Sequence, residues 1–268
     1  MDMAEAKQDR LKNIKALFEP SSIAVIGASR RKEAVGNAIL ANLIAAKFKG
    51  KIYPINPKVD IINDLKCYPS VLSVPDPVEL AVIILPSAGV PEVLEECVKK
   101  GVLAAIIISA GFREVGEEGK KLEEQVVSIA RRGHIALMGP NCLGMINPEP
   151  GISMNASFAR SMPSYGKISF ISQSGALCTA VLDYAQGENI GFSKFVSFGN
   201  KADLNEIDLL RYLKDDPKTS VILLYIEDIV NGQEFIDVAR EITTEAKKPI
   251  LAIKSGRTAE GAKAAKSH

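Results

Sequence analysis

Cysteine is scarce in this chain and never closely paired. Cys67, Cys97, Cys142 and Cys178 stand far apart, with no C-x-x-C spacing. Neither a zinc site nor a disulfide framework is indicated, and small buried thiols in a reducing compartment are the simpler reading. An excess of one charge is also missing: 33 Lys and Arg face 32 Asp and Glu, a net of +1. That balance gives no support for nucleic acid as a partner, which would call for a basic excess. No apolar run approaches the roughly 18 residues that a membrane span needs. Residues Met1 to Lys15 are polar and charged, unlike a secretory leader. A cytoplasmic protein with no membrane contact is the expectation. A phosphate loop of the G-x-x-x-x-G-K-[ST] type is absent too, so a nucleoside triphosphate would have to be held by other means.

What the chain does have is length and regular alternation. Its 268 residues, 47% of them hydrophobic, suffice for two ordinary domains. After a short leading helix over Asp9 to Leu17, unbroken apolar strands are expected at Ser22–Ile26, Lys51–Ile55, Leu80–Leu85, Leu103–Ile108 and His134–Leu137. Helices are expected between them at Val35–Phe48, Val90–Lys100 and Glu117–Arg132. Continuous Ile/Val/Leu/Ala strands separated by helices predict an α/β fold with a doubly wound parallel sheet. Asn147 to Ser164 carries Pro148, Pro150, Gly151 and Pro163 and reads as a connection. A second alternation follows, with strands at Lys167–Ile171, Lys194–Ser197, Val221–Ile226 and Ile250–Ile253. The expected organisation is a Rossmann-type domain over residues 10–146, a linker over 147–165 and a smaller flavodoxin-like domain over 166–268.

Two strand ends stand out chemically. Ile171-Ser172-Gln173-Ser174-Gly175-Ala176 joins a buried strand to a helix through small polar residues. Unpaired helix N–H groups and the positive end of the helix dipole make such a turn an anion cradle. Gly27-Ala28-Ser29 ends an earlier strand in the same way. Its next glycine is Gly36, so the G-x-G-x-x-G spacing of a dinucleotide fingerprint fails. After the second strand the chain offers Asn56-Pro57-Lys58, where an NAD site wants an acidic residue. NADP and coenzyme A both fit a lysine there. The chain ends on His268, in a segment rich in Gly, Lys and Ala. Two cradles and one loop histidine suggest phosphoryl chemistry more than redox chemistry.

Several motifs, in order, carry a resemblance. Val25-Ile26-Gly27-Ala28-Ser29, Tyr53-Pro54-Ile55-Asn56-Pro57, Ile108-Ser109-Ala110-Gly111-Phe112, Gly139-Pro140-Asn141-Cys142-Leu143-Gly144, Ser172-Gln173-Ser174-Gly175 and Ala265-Lys266-Ser267-His268 resemble the nucleoside-diphosphate-forming acyl-CoA synthetases. These are the ADP-forming acetyl-CoA synthetases and the succinyl-CoA synthetase alpha subunit. The resemblance implies a CoA-binding Rossmann-type domain followed by a flavodoxin-like ligase domain. It implies that Gly27, Ala28, Ser29 and Lys58 hold the CoA nucleotide, and that Pro86, Ser109, Ala110 and Gly111 line the path to the thiol. Asn141 and Cys142 would sit near the acyl or phosphate pocket, and Ser172, Ser174 and Gly175 would cradle phosphate. His268 would be the phosphorylated histidine and Glu227 its carboxylate partner. Acyl-CoA would be the substrate. ADP or ATP with Mg²⁺ would bind mainly on an ATP-grasp beta-type partner, giving a hetero-oligomer, with no metal held by this chain itself. The family's histidine motif continues Thr-Gly-Ala, so more of the subunit is expected to follow His268 or to lie in another chain. A CoA-binding regulatory protein and an NADP-dependent oxidoreductase are the alternatives.

Overall fold

A computed structural model describes residues 3–256, with side chains from Arg10 onward. The expected histidine, His268, lies outside the described residues. The leading helix α1 (Met3–Phe18) is followed by β1 (Ser22–Ile26), α2 (Val35–Ala45) and β2 (Lys51–Ile55). A two-rung hairpin comes next, β3 (Ile61–Ile62) and β4 (Leu65–Lys66). Then follow β5 (Leu80–Ile83), α3 (Val90–Lys100), β6 (Ala104–Ile107), α4 (Glu117–Arg132) and β7 (Ala136–Met138). Every residue of β1, β5 and β6 is buried, because α2, α3, α4 and α1 leave neither face of the sheet to water. The sheet is parallel, with order β2-β1-β5-β6-β7. This is the Rossmann strand order with its third strand missing. The order reverses between β1 and β5, which opens a crevice beyond Ile26 and Ile83.

The second half contains β8 (Gly144–Asn147), β9 (Met154–Ser157), β10 (Tyr165–Ser172), α5 (Gly175–Gly187), β11 (Phe192–Ser197), α6 (Glu206–Asp215), β12 (Val221–Ile226), α7 (Gly232–Thr244) and β13 (Ile250–Lys254). Its sheet has the order β13-β12-β10-β11-β8-β9. The strands β10 to β13 are parallel and reverse their order between β10 and β12, so a second crevice opens at the ends of those two. Asn205 opens α6 with a full capping box to Asp208, which sets its start at Glu206.

Part of the segment expected to be a linker, residues 147–165, joins this sheet: Asn147 ends β8, Met154–Ser157 form β9 and Tyr165 opens β10. β8 and β9 form an antiparallel hairpin whose first strand pairs with β11, so most of residues 144–157 is sheet edge. Pro148, Pro150 and Gly151 occupy the hairpin's turn. The other boundaries shift for local reasons. α2 stops at Ala45 because Lys47 takes the left-handed conformation (φ 56°), before Phe48 and Gly50 are reached. His134, expected to open a strand, is also left-handed (φ 55°) and belongs to the turn before β7.

The two sheets share a core. Ile14, Phe18, Val25, Leu40, Met145, Ile171, Phe198 and Leu209 belong to one buried cluster. Helix α1 clamps the halves. The Phe18 ring stacks on Tyr212 of α6 at 4.2 Å, and Arg10 donates to both Asp208 carboxylate oxygens at 3.2 Å. At the joint, Gly199 (φ 55°) lies against the loop after β7, where a Cβ would stand 2.3 Å from the Pro140 carbonyl oxygen. The Asn200, Ala202 and Leu204 N–H groups donate to Pro140, Gly139 and Leu137 carbonyls at 2.9, 3.0 and 3.1 Å.

Candidate functional site

A cleft of about 640 Å³ opens where the carboxyl ends of both sheets meet. The first sheet contributes Ile84, Ile108, Ser109, Ala110 and Arg113, and the loop after β7 contributes Asn141, Cys142 and Leu143. From the second sheet come Gln173, Ser174, Gly175, Ala176, Thr179 and Glu227, with Gly199 and Asn200 beside them. Seven of the residues expected from the sequence therefore share one cavity: Ser109, Ala110, Asn141, Cys142, Ser174, Gly175 and Glu227. Gly27, Ala28, Ser29, Lys58, Pro86, Gly111 and Ser172 do not line it.

Each side chain arrives there for a local reason. Ser174 is the N-cap of α5 and accepts from the Leu177 N–H at 3.2 Å. Gly175 and Ala176 then present first-turn N–H groups toward the cleft, at the positive end of the helix. Ser172 is fully buried. Its hydroxyl donates to the Ser174 carbonyl and accepts from the Ser174 N–H, both at 3.0 Å. It shapes the turn from behind and does not face the cleft as expected. Glu227 follows the last residue of β12 directly. Ser109 accepts from the Leu85 N–H at 3.1 Å, and its carbonyl accepts from the Asn141 N–H at 2.9 Å, so it ties β5, β6 and the Asn141 loop together.

The other cradle lies at the first sheet's switch point. Gly27 (φ 97°) sits so close to β5 that a Cβ would stand 2.2 Å from the Ile84 carbonyl oxygen. Gly36, in the first turn of α2, packs equally tightly on Gly27, where a Cβ would lie 2.0 Å from its carbonyl oxygen. No side chain caps α2, whose N-cap is Ala34. Asn37 and Asn56 brace the turn by donating to the Ser29 and Ala28 carbonyls at 2.7 and 2.8 Å. Arg30, Arg31, Lys32 and Lys58 are exposed around it. An uncapped helix start, a backbone stripped of side chains and a ring of cations suit a polyphosphate.

Cys142 is buried against the Ile107 carbonyl, its sulfur 3.3 Å away, and burial pushes its thiol up to about 12. A thiol so poised is a packing group and no nucleophile. Among the described residues no group of three or more His, Cys, Asp or Glu could hold a metal ion, and no helix is long and apolar enough to cross a membrane.

The sequence left several residues of this region without a role. Gln173 accepts from the Glu227 and Asp228 N–H groups at 2.6 and 3.2 Å and donates to Asp228 Oδ1 at 2.7 Å. Lys201 donates to Glu206 Oε2 at 2.9 Å and to the Asp228 carbonyl at 2.8 Å, almost without solvent. Burial works against the Asp228 charge, but the Gln173 amide and Lys201 outweigh it and hold the carboxyl below the usual carboxylate range. Arg113 is the cation among the lining residues; it reaches the Asn200 carbonyl and lies 3.7 Å from Glu123 Oε1. Burial raises Glu123. Glu114, though burial opposes its charge, is drawn down by donors from Asn200 and from the Gly111 and Phe112 N–H groups. Gln173 stands inside the Ser172–Gly175 motif, but the partners that give it a role, like the Asn200 carbonyl that Arg113 reaches, lie on other loops.

Comparison with known proteins agrees with this geometry. A family model described as a CoA binding domain matches residues 21–148, and one described as a succinyl-CoA ligase like flavodoxin domain matches residues 165–268. The alpha subunit of acetate–CoA ligase [ADP-forming] I from Pyrococcus furiosus is 47% identical over 260 residues, 96% of this chain and 55% of that protein. This chain belongs to the ADP-forming acyl-CoA synthetase family. Acetate–CoA ligase [ADP-forming] from Methanocaldococcus jannaschii is 53% identical over 95% of this chain and 35% of its own length. A solved family structure, the dinucleotide-forming acetyl-coenzyme A synthetase 1 of Ca. Korarchaeum cryptofilum in complex with phosphate and ADP, aligns with a TM-score of 0.89. It shares 47% identity, over 95% of this chain and 54% of that one. The chain thus spans between about a third and about half the length of these family members.

Proposed function

We propose that this chain is the alpha-type part of an ADP-forming acyl-CoA synthetase, which converts acyl-CoA, ADP and phosphate to acid, CoA and ATP through acyl phosphate and phosphohistidine. The observation that carries the reading is the meeting of Ser109, Ala110, Asn141, Ser174, Gly175 and Glu227 in one cleft between two strand-order reversals.

The CoA nucleotide belongs at Gly27, Ala28, Ser29 and the uncapped start of α2, with Lys58 and its basic neighbours on the phosphates. The pantetheine arm then passes Pro86 and Gly111 to bring the thioester to Ser109 and Ala110. Phosphate belongs at the α5 N-terminus, where Gly175 and Ala176 N–H groups offset its charge. A phosphate oxygen bonds to the thioester carbonyl carbon, the C–S bond breaks, and the thiolate leaves with CoA. Asn141 and the helix N–H groups are the donors near the oxygen on which charge develops. An imidazole nitrogen of His268 then bonds to phosphorus, and the acid leaves as carboxylate. Glu227 holds the proton on the far ring nitrogen, which sets the tautomer and steadies the cation formed. The phosphoryl group passes to ADP on an ATP-grasp beta-type partner, with Mg²⁺, in a hetero-oligomer.

Equilibrium titration with CoA and NADPH, then incubation with acetyl phosphate and assay for acid-labile phosphate on His268, tests this reading. CoA binding with labelling is expected. NADPH binding without CoA binding, or an unlabelled His268, overturns it. ATP formation from acetyl-CoA, ADP and phosphate by this chain alone overturns the need for a partner.

A further inference from the structure

Gln173 sits at the second sheet's switch point, and its side chain bridges the ends of β10 and β12. It makes three side-chain contacts with two successive residues. Oε1 accepts from the Glu227 N–H at 2.6 Å and the Asp228 N–H at 3.2 Å, while Nε2 donates to Asp228 Oδ1 at 2.7 Å. Its own N–H donates to the Tyr225 carbonyl at 3.1 Å. The remaining sides of that loop are also held. Lys254 Nζ, from β13, donates to the Glu227 carbonyl at 2.6 Å. Lys201 Nζ takes the Asp228 carbonyl at 2.8 Å and lies 3.2 Å from Asp228 Oδ1. Glu206 pairs with Lys201 and accepts from the Val230 N–H at 2.8 Å.

We propose that Gln173 is a positioning residue: its amide, clamped between the Glu227 and Asp228 N–H groups and the Asp228 carboxylate, fixes where Glu227 presents its carboxylate to the cleft. The inference rests on the reading of Glu227 as the partner of the phosphorylated histidine. A side chain at this position must accept from two N–H groups and donate to a carboxylate, and an amide does both. Leucine does neither. Glutamate keeps the acceptor but sets a second negative charge against Asp228 Oδ1, until the pair shares a proton and the donor returns. The charged groups facing that pair are Glu227, Glu206, Lys201 and Lys254, with Arg113 on the same cleft.

The test measures acid-labile labelling of His268 in the full-length protein with acetyl phosphate as donor. Gln173→Leu is expected to lower the saturating labelling rate by about tenfold to a hundredfold, because a small misplacement of a catalytic group costs that much. CoA affinity and the half-saturating acetyl phosphate concentration are expected to stay within about twofold. Gln173→Glu is expected to be slow at about pH 8 and to approach the parent rate at about pH 6, as the shared proton restores the donor. This recovery on acidification is something a purely structural role would not produce, and it stands even if the leucine variant fails to fold. Labelling of Gln173→Leu at the parent rate, or a parent-like pH profile for Gln173→Glu, overturns the inference alone. An unlabelled parent overturns the functional reading, and this inference with it.

Discussion

Replacing Lys201 with methionine strips a cation from a place that water hardly reaches. The Lys201 side chain is 1% exposed and that of Glu206 0%, with 2.9 Å between the charged atoms. At an effective dielectric constant of about 20, a pair at that separation attracts by roughly 6 kcal/mol. Much of this is offset by the cost of taking both charges out of water, so the intact pair is worth far less than its attraction. Removing one partner is different, because it leaves Glu206 buried and uncompensated, which typically costs about 3–5 kcal/mol. Glu206 keeps one donor, the Val230 N–H at 2.8 Å, and this places the expectation near the lower end, about 3 kcal/mol. Asp228 adds little, since its side chain is 60% exposed. Urea unfolding at neutral pH reads the loss as a fall in midpoint at unchanged slope. The double variant Lys201→Met/Glu206→Met removes the stranded charge too, and is expected to lose at least about 1 kcal/mol less than the sum of the two single losses. A Lys201→Met protein within about 1 kcal/mol of the parent, or strictly additive losses, would refute the picture of a coupled buried pair.

Three further outcomes follow from the geometry. Gly36→Ala puts a methyl 2.0 Å from the Gly27 carbonyl oxygen and should cost about 1–3 kcal/mol, with weaker CoA binding. Gly89→Ala, with open space at its Cβ, should stay within about 0.5 kcal/mol, and equal losses in thermal melts would contradict the close-packing account. Burial pushes the thiols of Cys97, Cys142 and Cys178 up to about 12, so an aromatic disulfide reagent at about pH 8 should leave all three unreacted in the native chain and label them on unfolding. Rapid reaction of native Cys142 would count against that. Asp228 is held below the usual carboxylate range when folded, so its contribution to stability is present above the unfolded value and is lost as pH falls through the folded one. The melting temperatures of the parent and Asp228→Asn should therefore converge between about pH 5 and pH 2, and a gap that stays constant would show that the charge plays no part.

The alternation of strands and helices, and the small-residue turns after β1 and β10, are legible in the sequence alone. Apolar runs such as Leu80–Ile83 and Ala104–Ile107 are buried on both faces, so their composition announces a covered parallel sheet. Small residues at Gly27 and Ser174, and a carboxylate directly after β12, are features of turn chemistry, readable within a few residues of the chain. The β8–β9 hairpin was not readable that way. Its strands are short and flanked by prolines and glycine, and the hairpin joins the sheet only through the pairing of β8 with β11, some fifty residues further along the chain. Ser172 has the side chain of a phosphate ligand, but the turn engages its hydroxyl with the Ser174 backbone, a contact that residue type alone does not reveal.

Only the tertiary structure decided which of the candidates meet. Gln173 and Glu227 are 54 residues apart, Arg113 and Asn200 87, and each pair joins loops from different strands. The preferences that set a strand or a turn act over a few neighbouring residues and leave their mark in local composition. A hydrogen bond between loops depends on where two sheets come to rest against each other, and the packing of the shared core sets that position.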